Sequence, residues 1–202
     1  MFVAIEGGEG AGKDLLTERL RRVCNPSTTV FTREPGGTPT GEKLRAVLLD
    51  PETDMGAEEE LLVFIAARTA LVRQVIRPAL AEGKTVISNR FALSTLAYQI
   101  YGRERNDLLE FLRQLSERAT AGLPPVHYVL LDVPPEIGLR RVKQRNDGET
   151  RFDAEKQAFH ERVRAGYLQH YMDTNYGMAI DARQSPEEVF EQAIQRIRQW
   201  QQ

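Results

Sequence analysis

Residues 2–13 read FVAIEGGEGAGK, and this stretch decides the fold because a short apolar run leads directly into a glycine-rich loop. The apolar run from Phe2 to Ile5 predicts a strand that is buried on both faces. The loop fits the first seven positions of the pattern G-x-x-x-x-G-K-[ST], and a helical pattern follows it at residues 15–20. A strand, a glycine-rich loop and a helix in this order predict a cradle for the phosphate groups of a nucleotide.

The glycines of this loop allow backbone N–H groups to turn inward around phosphate oxygens, in conformations that a Cβ would obstruct. Lys13 adds a positive charge for the β- and γ-phosphates, and the helix behind it adds its positive dipole end. The predicted ATP-phosphate site is a set of consecutive residues: Gly7, Gly8, Glu9, Gly10, Ala11, Gly12, Lys13 and Asp14.

The rest of the chain alternates strand and helix patterns. Further short apolar segments predict strands at residues 28–32, 85–88, 128–133 and 178–180. Segments with helical periodicity separate them, for example residues 58–81. This alternation predicts an α/β fold of three layers, in which a five-stranded parallel sheet is covered by helices on both faces.

Composition narrows the class of protein. The formal net charge of -2, from 27 basic and 29 acidic side chains, does not favour a nucleic-acid-binding surface. The single cysteine, Cys24, cannot form an internal disulfide and favours a cytoplasmic location. The first residues do not resemble a secretory signal, and no apolar run approaches the length of a membrane span. The length of 202 residues predicts one domain, residues 1–202.

The eighth position of the loop departs from the pattern, because Asp14 stands where a Ser or Thr hydroxyl normally coordinates Mg²⁺. A carboxylate about 5 Å from a phosphate repels it by roughly 3 kcal/mol at an effective dielectric of about 20. That repulsion exceeds the ~0.3–1 kcal/mol that an acidic residue gains at a helix N-terminus. Two interpretations stay open: Asp14 ligates Mg²⁺ directly, or it weakens nucleotide binding.

Several segments resemble the bacterial thymidylate kinases, and the resemblance covers essentially the whole chain. The segments are residues 5–13 (IEGGEGAGK), 32–38 (TREPGGT), 62–68 (LVFIAAR), 89–91 (NRF) and 94–99 (STLAYQ). The resemblance implies a P-loop NTPase-like fold with a short lid. It also implies transfer of the γ-phosphate of ATP to dTMP with Mg²⁺ as cofactor. A homodimer is expected as well, with residues 61–71 as a candidate contributor.

The resemblance also implies the acceptor pocket. Phe64 would stack on the pyrimidine ring, while Arg68 and Thr95 would hydrogen-bond its polar edge. Tyr98 would crowd the 2′ position of the sugar and so favour deoxyribose. The residues implied in monophosphate binding are Glu9, Arg33, Glu34, Phe64, Arg68, Arg90, Ser94, Thr95, Tyr98 and Gln99.

Arginines are implied in the transfer step. Arg33 and Arg90 would grip the acceptor phosphate with their planar guanidinium groups. The polar residues 146–150 predict a mobile loop, which with its flanking arginines is similar to the closing lid of the family, expected at about residues 145–152. Lid closure would bring two arginines to the transferring phosphoryl group. The implied catalytic residues are Lys13, Arg90, Arg145 and Arg151.

Asn89 is the second departure from the family pattern, which has aspartate at this position to help hold hydrated Mg²⁺. Because Asp14 adds a carboxylate and Asn89 removes one, we hypothesise that Asp14 is the relocated metal ligand. Asp181 and Ala182 resemble the segment that borders the adenine. Two other functions stay open: a nucleotide-binding homologue with impaired or lost turnover, and a kinase for dUMP or a 5-substituted dUMP.

Overall fold

A computed structural model describes residues 1–144, 150–171 and 177–201. Its five strands form one sheet in the order β2-β3-β1-β4-β5, and every neighbouring pair is parallel. The strands are β1 (Phe2–Gly7), β2 (Thr29–Arg33), β3 (Thr85–Asn89), β4 (Val126–Asp132) and β5 (Gly177–Asp181). The predicted five-stranded parallel sheet is confirmed.

Helices connect these strands. The described α-helices are α1 (Lys13–Val23), α2 (Pro39–Leu49), α3 (Ala57–Leu71), α4 (Arg77–Ala81), α5 (Ala92–Thr95), α6 (Leu109–Thr120), α7 (Pro135–Lys143), α8 (Gln157–Tyr171) and α9 (Pro186–Trp200). A π-helical turn at Val72–Ile76 joins α3 to α4, so the helical pattern of residues 58–81 is one continuous helical segment. A second π-helical turn, Leu96–Gly102, extends α5. None of the described helices is long and apolar enough to cross a membrane.

The core has two parts because successive side chains of a strand point to opposite faces of the sheet. In β1 all six residues are buried, as the apolar run predicts. Phe2 and Ala4 pack into the cluster that includes residues of α5 and α8. Val3 and Ile5 pack into the opposite cluster, with residues of α1 and α9. These two clusters place helices on both faces of the sheet and confirm the three-layer prediction.

The carboxyl ends of the three strands β1, β2 and β3 meet at one edge of the sheet. Asn89 is the register partner of both Ile5 and Arg33. The backbone N–H of Glu34 donates to the Asn89 carbonyl at 2.9 Å, and that of Arg90 donates to the Ile5 carbonyl at 2.9 Å. Open parallel sheets bind their ligands at this edge. The topology thus brings together the glycine-rich loop and the segments after β2 and β3.

Candidate active site

The glycine-rich loop depends on backbone conformations that favour glycine. Gly7, Gly10 and Gly12 have φ angles of 146°, 68° and 92°. A Cβ on Gly10 would lie 2.0 Å from the carbonyl oxygen of Gly138 in α7, and a Cβ on Gly138 would lie 2.2 Å from the Glu9 carbonyl oxygen. Two glycines are therefore needed for α7 to pack against the loop. The motif predicts the first of them, whereas Gly138 is visible only in the structure.

Lys13 is buried against the loop that it follows. Its Nζ donates to the carbonyl oxygens of Gly7 at 3.0 Å and Gly8 at 2.7 Å. Burial, together with the neighbouring Arg90, lowers the pKa of Lys13 to about 8. A phosphate group in the loop would give this ammonium a stronger partner than two carbonyl oxygens, because hydrogen bonds between two ionised groups are the stronger kind.

Arg90 and Glu9 form an ion pair at the mouth of the loop. Arg90 Nη2 donates to Glu9 Oε1 at 2.6 Å, and Tyr98 Oη donates to the same oxygen at 2.8 Å. Arg90 Nη1 also donates to the Gly7 carbonyl at 3.0 Å. Burial raises the pKa of Glu9, but the positive charges of Arg90 and Lys13 outweigh it and hold that pKa at about 2. Glu9 is therefore an anion at neutral pH that orients Arg90.

The buried carboxylate of Glu6 accepts hydrogen bonds from the start of α5. Its Oε1 accepts hydrogen bonds from the backbone N–H groups of Phe91 at 2.8 Å and Ser94 at 3.3 Å. Its Oε2 accepts from Ser94 Oγ at 2.5 Å and from Tyr167 Oη at 3.2 Å. This role was missed from the sequence, although an acidic residue in an apolar strand is a signal of a buried polar network.

Asp14 and Asn89, the two departures from the family pattern, lie in contact. Asn89 Nδ2 donates to Asp14 Oδ1 at 2.6 Å. The described residues contain no cluster of three or more acidic, histidine or cysteine side chains suited to a metal. Mg²⁺ in nucleotide sites needs only one or two carboxylates, since phosphates and water supply the other oxygens. The donor chemistry of Asp14 therefore fits this metal.

Arg68 is fully buried and joins the segment after β2 to α5. Its Nε and Nη2 reach Glu34 Oε2 at 2.9 and 2.6 Å. Nη2 also donates to Thr95 Oγ1 at 2.7 Å. Burial raises the pKa of Glu34, with Arg68 opposing it. The remaining Arg68 Nη1 has no hydrogen-bond partner among the described residues, which leaves one buried donor unpaired.

Gln99 and Arg151 both donate to the buried carboxylate of Glu60 and not to the phosphate loop. Glu60 accepts from Gln99 Nε2 at 2.8 Å and from Arg151 Nη2 at 2.5 Å. Arg151 Nε also donates to the Leu48 carbonyl at 3.2 Å. In this conformation the predicted catalytic Arg151 is thus paired within the protein. Arg145, the other predicted lid arginine, lies outside the described residues, as do 146–149.

A single cavity of about 800 Å³ connects the loop to the segments after β2 and β3. Most of the predicted site residues line it: Glu9, Gly10, Ala11, Gly12, Lys13, Asp14, Arg33, Glu34, Phe64, Arg90, Ser94, Tyr98, Gln99 and Ala182. Within the described part of the chain, the predicted residues outside its lining are Gly7, Gly8, Arg68, Thr95, Arg151 and Asp181. Gly7, Gly8 and Arg68 contact residues that do line it.

The comparisons with known proteins agree with this geometry. The sequence model of the thymidylate kinase family matches residues 5–193. The chain belongs to the thymidylate kinase family. It is 43% identical to the thymidylate kinase of Nitratidesulfovibrio vulgaris (strain Miyazaki F), over 98% of this chain and 96% of that protein. It is 46% identical to the thymidylate kinase of Oleidesulfovibrio alaskensis, over 95% of this chain and 94% of the relative.

The fold agrees with that of a solved thymidylate kinase. A crystal structure of thymidylate kinase from Ehrlichia chaffeensis superposes with a TM-score of 0.76 at 28% sequence identity, and the match covers 96% of this chain and 97% of that one. The chain is therefore an enzyme of the nucleoside monophosphate kinase class with a P-loop NTPase fold.

Among the other residues that line this thymidylate kinase cavity, Arg45 was missed from the sequence, whereas Phe152 lies within the predicted lid and Arg141 is one of the arginines near that lid. Arg45 Nη1 donates to the Pro35 carbonyl at 3.0 Å. Arg141 Nη1 donates to the carbonyl of Ala182 at 3.0 Å. Phe152 is 4% exposed, and its ring centroid lies 5.8 Å from that of Tyr98. Arg141 carried a signal in the basic last turn of α7, whereas nothing in the sequence distinguishes Arg45 from other basic residues on helices.

Proposed function

We propose that this chain transfers the γ-phosphate of ATP directly to dTMP, which yields dTDP and ADP. The observation that carries this proposal is the cavity of about 800 Å³, which the phosphate loop lines together with Arg33 and Arg90. Phosphoryl transfer requires that the donor and acceptor phosphates face each other. A phosphate loop and a pair of arginines that line the same cavity meet this requirement. Family membership supplies dTMP and ATP as the substrates.

The donor side of the proposal uses the loop of residues 7–14. Its backbone N–H groups and Lys13 would bind the triphosphate, and the ammonium would exchange the carbonyls of Gly7 and Gly8 for phosphate oxygens. Asp14 would hold Mg²⁺. When bound, Mg²⁺ neutralises charge on the phosphate oxygens. Asp181 and Ala182 would border the adenine.

The acceptor side uses the segments after β2 and β3. Arg33 and Arg90 would bind the monophosphate of dTMP as planar two-donor groups. Glu9 supports this role of Arg90, because Glu9 Oε1 accepts a hydrogen bond from Arg90 Nη2 at 2.6 Å and so orients the guanidinium. Phe64 would stack on the thymine, and the unpartnered Nη1 of Arg68 supports a hydrogen bond to the polar edge of the base.

The transfer itself would need no covalent enzyme intermediate. An oxygen of the dTMP phosphate attacks the γ-phosphorus in line, the bond to the β-phosphate oxygen breaks, and ADP leaves. Positioning and electrostatic stabilisation by Lys13 and Arg90 would supply most of the catalysis. Arg145 and Arg151 stay predicted lid residues, and Arg151 would have to exchange Glu60 for the phosphoryl group.

A homodimer in the cytoplasm, built from one domain of residues 1–202, belongs to the same proposal. Along α3, Leu61 and Ile65 are buried in the core of the chain itself, whereas Leu62 is 42% exposed. Ala66 and Thr69 are exposed on the same face, because residues three and four positions apart are neighbours on a helix. This exposed face of α3, residues 62, 66 and 69, is the part of residues 61–71 that remains for a partner subunit.

The test is steady-state phosphorylation of dTMP, dUMP and dCMP with ATP at varied Mg²⁺. We expect dTMP to be preferred, and we expect Arg90→Met to lower kcat/KM by about 10²–10³-fold because a charged donor to the acceptor phosphate is lost. Turnover on none of the three would support a nucleotide-binding homologue instead. A preference for dUMP would move the acceptor assignment to the deoxyuridine monophosphates.

A further inference from the structure

The contact between Asp14 and Asn89 joins two positions that are 75 residues apart in the chain. Asp14 is the second residue of α1, directly after Lys13, and Asn89 is the last residue of β3. Both line the cavity that holds the phosphate loop. An ionised carboxylate accepts hydrogen bonds only, so the asparagine must present its Nδ2 to it, as it does at 2.6 Å.

The hydrogen bond fixes one oxygen of Asp14 and leaves the other for a ligand. Asp14 Oδ2 makes no hydrogen bond or ion pair with the residues that the structure describes, and the side chain is exposed to the cavity. An exposed aspartate without such a partner would sample several rotamers. Asn89 removes part of that freedom and so preorganises the free oxygen.

We propose that Asn89 is a positioning residue that holds Asp14 as the protein's ligand for the divalent cation of the nucleotide, and that nucleotide binding therefore depends strongly on that cation. The inference deepens the proposed kinase function and rests on it. A hydroxyl at position 14 would be neutral, so it would tolerate phosphates with or without metal. A carboxylate there repels phosphates directly and attracts them only through a cation between the two.

We expect the order of ADP affinities among the unaltered chain and its Asp14 variants to reverse between Mg²⁺ and EDTA. Binding of ADP to the full chain would be measured by calorimetry at pH 7, once with Mg²⁺ and once with EDTA, for the unaltered chain and for Asp14→Ser and Asp14→Asn. With EDTA we expect both variants to bind ADP about tenfold more tightly, because a repelling charge is gone. With Mg²⁺ we expect the unaltered chain to bind more tightly than either variant.

Glu18→Gln is the matched control. Glu18 is another exposed carboxylate on α1, it pairs with Arg22 at 3.2 Å, and it does not line the cavity. Its neutralisation changes the net charge by the same amount as Asp14→Asn. We expect its ADP affinity to equal that of the unaltered chain in both conditions, which separates a local effect from a general effect of charge.

The role of Asn89 needs its own variants. Asn89→Ala leaves Asp14 in place without its restraint, so we expect the gain in ADP affinity from Mg²⁺ to fall while affinity in EDTA is unchanged. Asn89→Asp places two carboxylates in contact, and we expect it to weaken binding in EDTA further. The double variant Asp14→Ser/Asn89→Asp returns the family arrangement, and its effect would not equal the sum of the single effects.

A spectroscopic measurement makes the result independent of turnover and of affinity. The electron paramagnetic resonance spectrum of Mn²⁺ in the complex with ADP reports the ligands of the metal, and we expect it to change in Asp14→Asn and to stay unchanged in Glu18→Gln. Thermal melts would confirm that each variant is folded. Equal ADP affinities with EDTA for Asp14→Asn and the unaltered chain, with an unchanged Mn²⁺ spectrum, would overturn the inference. No ADP binding by the unaltered chain with Mg²⁺ would overturn the proposed function instead.

Discussion

At the scale of single residues, we expect the charge of Lys13 to set a pH limit on nucleotide binding. Burial and Arg90 lower its pKa to about 8, so the ammonium loses its proton as pH rises through that value. Bound phosphate favours the charged form, and binding is therefore linked to protonation of Lys13. We predict that affinity for ADP with Mg²⁺ falls as pH rises above about 8, with a limiting slope of about tenfold per pH unit.

Calorimetric titrations across this pH range test the slope. In Lys13→Arg the guanidinium stays charged, so we expect a flat profile even where the affinity itself is reduced by the changed geometry. Lys84→Arg is the control, because Lys84 pairs with Glu82 at the surface and should leave the slope as it is. An equal slope in Lys13→Arg would show that another group controls the pH dependence.

Arg68 also has a residue-scale effect, on stability. Its removal in Arg68→Met leaves Glu34 buried without a cation, and breaking a buried pair in this way costs about 3–5 kcal/mol. Burial already raises the pKa of Glu34, so its ionised form is the unfavourable one in the fold. We predict that the stability lost in Arg68→Met grows as pH rises through that raised pKa and shrinks at lower pH, where the carboxyl is protonated.

Urea unfolding at several pH values measures this loss. The double variant Arg68→Met/Glu34→Met removes both charges, and we expect it to recover part of the stability and to lose the pH dependence. A loss in Arg68→Met that does not vary with pH would mean that missing contacts, rather than the unpaired carboxylate, account for the destabilisation.

At the scale of elements, the packing of α7 on the phosphate loop depends on Gly138. A methyl group there would meet the Glu9 carbonyl oxygen at 2.2 Å, and that oxygen belongs to the backbone and cannot rotate away. We predict that Gly138→Ala lowers the free energy of unfolding by about 1–3 kcal/mol and weakens ADP binding, because the loop must shift. Gly8→Ala is the stability control, since a Cβ at that position meets nothing within 4 Å. Thermal and urea unfolding measure the loss of stability in both variants. Equal losses in Gly138→Ala and Gly8→Ala would contradict the importance of this packing.

The elements also show where prediction from the sequence succeeds and where it stops. The strands and the phosphate loop were predicted because each is encoded by a local pattern, an apolar run or a glycine spacing. Glu60 could not be predicted in the same way, since it ends the acidic run of residues 58–60 and looks like a solvated helix start. Its burial, at 1% exposure, comes from the distant Arg103 and Arg151. The pairing of Asp14 with Asn89 likewise depends on the sheet register and not on local sequence.

At the scale of the whole molecule, α3 connects the proposed acceptor pocket to the surface of the protein. Phe64 lines the cavity and Arg68 is buried against the segment after β2, whereas Leu62 on the same helix is exposed. A partner subunit that packs on the exposed face of α3 would therefore support the helix that carries two residues of the pocket. Dimer formation and acceptor binding would be coupled through one rigid element.

Leu62→Glu tests that coupling. The substitution replaces an apolar side chain of the proposed interface by a charge, which destabilises a buried interface. We therefore predict that the variant is a monomer, as measured by light scattering after gel filtration. We also predict a severalfold higher KM for dTMP with little change in ADP affinity, because in the proposed function α3 contributes to the acceptor side and α1 to the donor side. Val47→Glu is the control, since Val47 is 44% exposed on α2 and changes the charge equally. If Leu62→Glu remains a dimer, the proposed interface is wrong. If it is a monomer with an unchanged KM for dTMP, the coupling is wrong, because the pocket would then be rigid without a partner subunit.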